Sequence, residues 1–221
     1  MCASYGLSGD GTPIPLPGED EPISEPGSLA LLNDWFAQHN GHAKITGRHA
    51  KNLNPVLVGD HLALGWWSLW ADGSGPRGRN SFNARDDSLM RHWSRAFQHR
   101  ALLPATWYDE GKPRWSLADG SVFWIAAVTS TVIDDETGET RLSYAMVTRR
   151  GVGKASAVKS KSSGGTESRM PLPLPADFAA EWLDPERPGD ARLVAETQIA
   201  SEDLARAMEP HYPTDGTATL F

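Results

Sequence analysis

The sequence predicts an α+β domain, on three observations. Several short apolar runs, at 56–58, 61–67, 101–108, 121–133 and 142–148, have the composition of strands. The last two flank Asp-Asp-Glu-Thr-Gly-Glu-Thr at 134–140, a turn-forming segment that joins them as an antiparallel hairpin. Between the runs lie stretches whose apolar residues recur at helical spacing behind a capping residue. Strands and helices interspersed with hairpins make α+β the class.

Taken in order, residues 8–27 are rich in Gly, Pro and acids and form a surface loop. Ser28 is placed to N-cap a helix with Leu31, Leu32, Trp35 and Phe36 on its apolar face, ending near Gly41. The stretch 42–55 has little periodicity and is expected to be irregular, and 71–81 is a basic, Gly-rich loop. Asp86 or Asp87 caps a helix that presents Leu89, Met90, Trp93, Ala96 and Phe97. Residues 150–166 are a long polar loop. Pro175 opens a helix through Trp182 and Leu183, residues 192–199 are a strand candidate, and Ser201 caps a last short helix. Residues 1–185 form the domain proper, and 186–221 an extension expected to pack peripherally on it.

The 221 residues suit one domain. No apolar run approaches the ~20 residues that span a bilayer, and the N-terminus lacks the basic and apolar segments of a signal peptide. A cytoplasmic monomer is the expectation. One cysteine leaves no disulfide framework and no cysteine-cluster zinc site. His39 and His42, and His92 and His99, have ligand-like spacings without further partners, so neither a metal nor a cofactor is expected.

A net charge of −7 argues against a generally basic nucleic-acid binder, but the distribution is uneven. From Arg141 to Thr166 there is no acid, while Arg141, Arg149, Arg150, Lys154, Lys159 and Lys161 fall inside. This is either a solvated basic loop or a strip that contacts phosphates. Nine tryptophans are many for the length. Trp66, Trp67 and Trp70 either belong to the core or offer stacking surfaces for bases.

Cys2 carries the most specific chemistry. Small second residues allow removal of Met1, which leaves a free 1,2-aminothiol. The amine, with a reference pKa near ~8, attacks an aldehyde to give an imine. The neighbouring thiolate then closes onto the imine carbon to make a thiazolidine. A retained Met1 blocks the amine and with it this reaction.

Met1-Cys2 resembles the Met-Cys-Gly-Arg start of the SRAP family (SOS-response-associated peptidase), and further segments follow in family order. Leu64-Gly65-Trp66-Trp67-Ser68-Leu69-Trp70 resembles the family's Trp-Gly-Leu-Ile-Pro-x-Trp. Phe82-Asn83-Ala84-Arg85-Asp86-Asp87 is similar to Ile-Asn-Ala-Arg-x-Glu. The stretch from Phe97 through Pro104-Ala105 to Glu110 resembles the one ending Pro-Ala-Asp-Gly-Phe-Tyr-Glu, and Ser168-Arg169-Met170-Pro171 the end of His-Asp-Arg-Met-Pro. Trp182-Leu183-Asp184-Pro185 matches a family helix terminus.

The resemblance implies a compact domain with a β-rich, barrel-like antiparallel core, and covalent capture of abasic sites in single-stranded DNA by Cys2. It implies a positioning role for Asn83 and an acid–base role for Glu110, with Asp109 the alternative under a different pairing of the aromatics. Arg85, Arg149, Arg150 and Arg169 become phosphate contacts, and Trp66 and Trp67 base contacts. The chain departs from the pattern at Ala3-Ser4, where the family has Gly-Arg, and at Glu167, where it has histidine. A carboxylic acid replaces that histidine only if its surroundings raise its pKa towards neutral. Two competing readings are a noncatalytic single-stranded DNA-binding module on the same fold and a Cys2-dependent peptidase. The latter lacks an evident Cys–His pair.

Overall fold

The computed structural model describes residues 2–8, 14–18, 22–45, 51–70, 81–134, 136–159 and 166–212. In chain order these form β1 (Ser4–Gly6), α1 (Pro26–His39), β2 (His42–Lys44), β3 (Leu53–Val58), β4 (His61–Trp67), β5 (Asn83–Arg85), α2 (Leu89–His92), β6 (Arg100–Ala105) and β7 (Trp107–Asp109). There follow β8 (Arg114–Ser116), β9 (Phe123–Ile133), β10 (Thr140–Arg150), β11 (Arg169–Pro171), β12 (Pro173–Leu174), α3 (Ala176–Leu183), α4 (Ala191–Ala200), α5 (Glu202–Arg206) and β13 (Glu209–His211).

The strands β10-β4-β3-β6-β9 close into a barrel, because β9 also pairs with β10. Closure leaves these five strands without a free edge. Every junction is antiparallel except one seam, where β10 runs parallel to β4 with Leu142 opposite Gly65. Beyond that seam β10 takes β5 as a parallel neighbour, Asn83 opposite Met146, and β11 as an antiparallel one, Arg150 opposite Arg169. Trp67, Trp124, Trp182, Tyr144, Phe97 and Leu102 are among the side chains that fill the core. The fold is α+β, as the sequence predicts.

A second sheet runs β13-β8-β7-β1-β2. Its β1 is anchored to the barrel by Tyr5, whose ring packs edge-on against Trp67 at 5.1 Å. Gly6 lets β1 slot between its neighbours, since a Cβ there would run into the Gly41 carbonyl and the Trp107 ring. The 101–108 run is two strands rather than one. It breaks at Thr106, whose N–H donates to the Gly6 carbonyl (2.8 Å) as the chain leaves the barrel for the second sheet.

Several elements differ from the sequence reading for local reasons. Helix α1 is capped by the Glu25 carboxylate, which accepts from Gly27 and Ser28 N–H. Ser28 instead lies inside the first turn, where its hydroxyl accepts from Leu62 N–H (2.8 Å). The stretch 42–55 contains β2 and the start of β3. Its asparagines are framework: Asn52 donates to the Lys44 carbonyl (2.6 Å) and accepts from Trp67 N–H (3.0 Å). Pro55 is tolerated because β3 meets β6 only at Leu57, so no neighbour on that side needs its missing N–H.

The helix expected after Asp86 is short, with single 3-10 turns at Asp86–Ser88 and Ala96–Gln98 on either side of α2, and Met90 faces solvent. Residues 192–199 are not a strand. Asp190 caps Leu193 N–H (2.9 Å), Arg192 pairs with Glu196 one turn on, and Leu193 and Thr197 bury the same face. The chain past 186 is less peripheral than expected, since Leu193, Ala205 and Met208 join the core and β13 extends the second sheet beside β8. The Gly-rich segment 71–80, Lys161 and residues 213–221 lie outside the described residues. Among those described, no helix is long and apolar enough to cross a membrane.

One buried ion pair ties these parts together. Asp86, just past β5, bonds Arg169 of β11 at 3.0 Å and accepts from Gln198 of α4 at 2.9 Å, while Arg169 also donates to the Thr148 carbonyl of β10. Asp86→Ala strips a buried guanidinium of its counter-charge. Urea unfolding is expected to show a loss of about 3 kcal/mol, typical of removing one partner from a buried pair. A loss below about 1 kcal/mol would contradict the clamp.

Candidate active site

Strands β1 and β7 are antiparallel, with Ser4 opposite Asp109. That register carries the residues before Ser4 alongside those after Asp109. The strand period of two then separates the two candidate acids. Asp109 turns to the partly exposed side, accepting from Ser4 Oγ (2.7 Å) and Arg114 Nε (3.0 Å). Tyr108 and Glu110 turn inward, Glu110 only 5% exposed. Glu110, rather than Asp109, is therefore the acid enclosed with Cys2.

Cys2 is 1% exposed, and its thiol donates to the Ser4 carbonyl (3.1 Å). Burial pushes the thiol well above its ordinary range, and the charge of Glu110 pushes it further, with a smaller push from Asp109. At neutral pH the resting group is a protonated thiol. Asn83 reaches the same residue from the other sheet, its amide donating to the Cys2 carbonyl (3.0 Å). Strand β5 puts it there by riding on β10.

The sequence reading did not single out three tyrosines around this point. Tyr5 and Tyr144 share a hydrogen bond (2.8 Å), and Asn54 donates to Tyr144 (3.1 Å). Burial pushes the Tyr5, Tyr108 and Tyr144 phenols up, so they stay neutral hydroxyls. The Tyr108 hydroxyl and Asn83 Oδ1 are buried with no hydrogen-bond partner among the described residues. Buried polar atoms in that condition are rare, and these two leave a donor and acceptors for a ligand's oxygen or nitrogen. The available signal for Tyr108 was its position two residues before Glu110 on a strand.

Arg85 lies two residues beyond Asn83, hence on the same face of β5. It is exposed and holds Asp87 (2.6 Å) and Glu167 (3.1 Å), which brings Glu167 beside it. Arg150 is exposed at the end of β10. The other expected DNA contacts are placed differently. Arg169 is buried in its bond to Asp86, and Arg149 is buried against Glu202 and the Gln198 carbonyl. Trp67 is fully buried, stacked on Tyr144, with its indole N–H on the Phe82 carbonyl (2.8 Å). Trp66 packs against Trp70 in a small buried cluster under Val132. These four side chains build the fold and present no open face to a strand.

The acid-free run is likewise compensated in space. Arg141 pairs with Asp134 and Glu139, Lys154 with Glu209 and Arg149 with Glu202. His39 bonds the Trp35 carbonyl, and burial holds the His42 imidazole below its usual range. Among the described residues no group of side chains suited to a metal ion occurs.

Glu110→Gln removes the carboxylate charge that raises the thiol, so the Cys2 titration must move down in pH. Cys2 is the sole cysteine, so iodoacetamide labelling followed by mass reads it directly. The labelling profile of E110Q is expected to shift to lower pH than wild type, and an unshifted or upward-shifted profile would contradict the placement.

The family model described as SOS response associated peptidase (SRAP) matches residues 45–209. No curated protein matches the chain. Among solved structures, a protein of Bordetella bronchiseptica is 17% identical with a TM-score of 0.61, covering 96% of this chain and 100% of its own. A protein of Bacteroides thetaiotaomicron is 16% identical with a TM-score of 0.55, covering 79% and 78%. A phage-related protein of Bordetella bronchiseptica is 19% identical with a TM-score of 0.51, covering 95% and 94%. At these identities the structures speak for the fold. The family match spans Asn83, Glu110 and Glu167, and the fold closes Cys2 against the first two, so the chain belongs to the SRAP family, which ties it to the DNA-damage response.

Proposed function

We propose that this protein captures abasic sites in single-stranded DNA as a covalent adduct on Cys2. The observation that carries the reading is the meeting of Cys2, Asn83 and Glu110 from two sheets, with the Asn83 amide 3.0 Å from the Cys2 carbonyl. Loss of Met1 frees the Cys2 amine. The amine adds to the C1′ aldehyde of the ring-opened sugar, and the carbinolamine expels water to leave an imine. The sulfur then bonds to the imine carbon, its proton passes to the nitrogen, and a thiazolidine results. Water is the only product released.

Each neighbour has a part in this sequence. The raised thiol must give up its proton as it attacks, and the Glu110 carboxylate is the base at hand. In the earlier step Glu110 takes a proton from the adding amine and gives it to the departing water, which restores the carboxylate before the thiol attacks. Asn83 holds residue 2 and offers its open oxygen to the sugar. Glu167, at the position of the family histidine, serves in opening the sugar once a phosphate draws Arg85 out of their ion pair. Arg85 and Arg150 hold phosphates of a strand bound by one copy of the protein.

A second reading, noncovalent binding of single-stranded DNA, is favoured by the deep burial of the thiol. It predicts salt-sensitive binding without a covalent product. The deciding experiment is a denaturing gel of protein freed of Met1, confirmed by mass, with a single-stranded oligonucleotide carrying one abasic site. A heat-stable shifted band is expected, absent in Cys2→Ala and absent when Met1 is retained. A band that survives in C2A, or no band from protein with a free Cys2 amine, would contradict the proposal.

A further inference from the structure

Of the three tyrosines around Cys2, two bond each other. Tyr5 and Tyr144 share a hydrogen bond of 2.8 Å, and Asn54 donates to Tyr144 at 3.1 Å. Tyr108 is as deeply buried, at 0% exposed, yet its hydroxyl has no partner among the described residues. Burying an unpaired hydroxyl costs stability that phenylalanine, with the same ring, would not lose. The ring is also held in place. On β7 it is flanked by Tyr5 of β1 and Trp115 of β8, and it lies parallel to the Trp115 ring at 6.3 Å. Trp115 is fixed in turn by its indole N–H on the Glu110 carbonyl (3.1 Å).

The open hydroxyl sits with the reacting groups. Burial first, and then the charges of Cys2 and Glu110, push the phenol up, so it keeps its proton across the physiological range. A fixed donor that stays neutral serves best where negative charge develops on a neighbouring oxygen. In the capture reaction that charge develops on one atom. As the Cys2 amine adds to the aldehyde carbon, the carbonyl electron pair moves onto the C1′ oxygen, within reach of both the nucleophile and the carboxylate that carries the proton.

We infer that the Tyr108 hydroxyl donates a hydrogen bond to the C1′ oxygen of the abasic sugar and is a further catalytic residue of the site. The inference rests on the capture reading above. The donor stabilises the oxygen while the new C–N bond forms. Glu110 then carries the amine's proton to that oxygen, water departs, and Tyr108 keeps the proton it began with.

The test is Tyr108→Phe in protein freed of Met1, which keeps the ring and its stack on Trp115. Y108F is expected to unfold in urea no earlier than wild type, since the lost hydroxyl has no partner among the described residues. Its single-turnover cross-linking to an abasic oligonucleotide is expected to be slower by about 10²-fold, the effect of removing one such donor. A rate within about twofold of wild type would overturn the inference while leaving capture by Cys2 standing. A second comparison needs no covalent step. A borohydride-reduced abasic site keeps the C1′ oxygen as an alcohol and cannot form an imine, whereas a tetrahydrofuran site lacks that oxygen. Wild type is expected to bind the reduced site about tenfold more tightly than the tetrahydrofuran site, and Y108F to bind the two alike within about twofold. If wild type forms no cross-link, the capture reading fails and this binding pair alone decides the inference. Equal binding of the two sites by wild type, or a preference that persists in Y108F, would overturn it.

Discussion

The buried pair Asp86–Arg169 is the constraint from which the site is hung. It joins the residue just past β5 to β11, reaches the Thr148 carbonyl on β10, and takes Gln198 of α4 as a further partner. Its members come from the two sequence segments that flank Asn83 and follow Glu167. A charge pair this deep has little to offer in net stability, but it discriminates strongly between correct and shifted packing. With Asp86 held, β5 cannot slide on β10, and Asn83 stays opposite Met146 with its amide on the Cys2 carbonyl. The same pair explains why the last helices belong to the domain: α4 helps to close the cage around it.

The second support comes from the other sheet. At Thr106 the chain passes from the barrel into β7, and β7 aligns Ser4 with Asp109. Strand alternation then buries Glu110 beside Cys2 and sends Asp109 outward to Arg114. A thiol in that enclosure is a poor nucleophile at rest, because burial and a neighbouring carboxylate both disfavour the thiolate. The arrangement suits a reaction in which the thiol acts last, after an imine has formed next to it and with the carboxylate free to take the thiol's proton. It differs from the thiolate–histidine pair of papain-like peptidases.

Much of this was legible before the structure. The barrel strands announced themselves by composition, and motif order picked out Asn83 and Arg85 while leaving Glu110 and Asp109 as alternatives. What the sequence could not show was long-range pairing. Arg149 sits in a stretch without acids and Arg169 just after it, so their neutralisation by Glu202 and Asp86, each more than fifty residues away, is invisible in a local count. The tryptophans posed a similar problem, since Trp67 is decided by its stacking on Tyr144 and its bond to Phe82. The 192–199 stretch misled because Val194, Thr197 and Ile199 favour strands, whereas the Asp190 cap and the Arg192–Glu196 pair win the helix. Ser28 misled because its hydroxyl serves Leu62 in a neighbouring strand rather than its own helix.

The link between the clamp and the chemistry runs through Asn83, so the most direct measurement is a comparison of cross-linking rate and strand affinity in Asn83→Ala. Single-turnover rates on an abasic oligonucleotide would be set beside equilibrium binding of the undamaged strand. The expected result is a rate lower by about 10²-fold with affinity unchanged within about twofold, as befits a residue that positions Cys2 rather than holding DNA. An unchanged rate, or a fall in affinity large enough to account for the slower reaction, would contradict it.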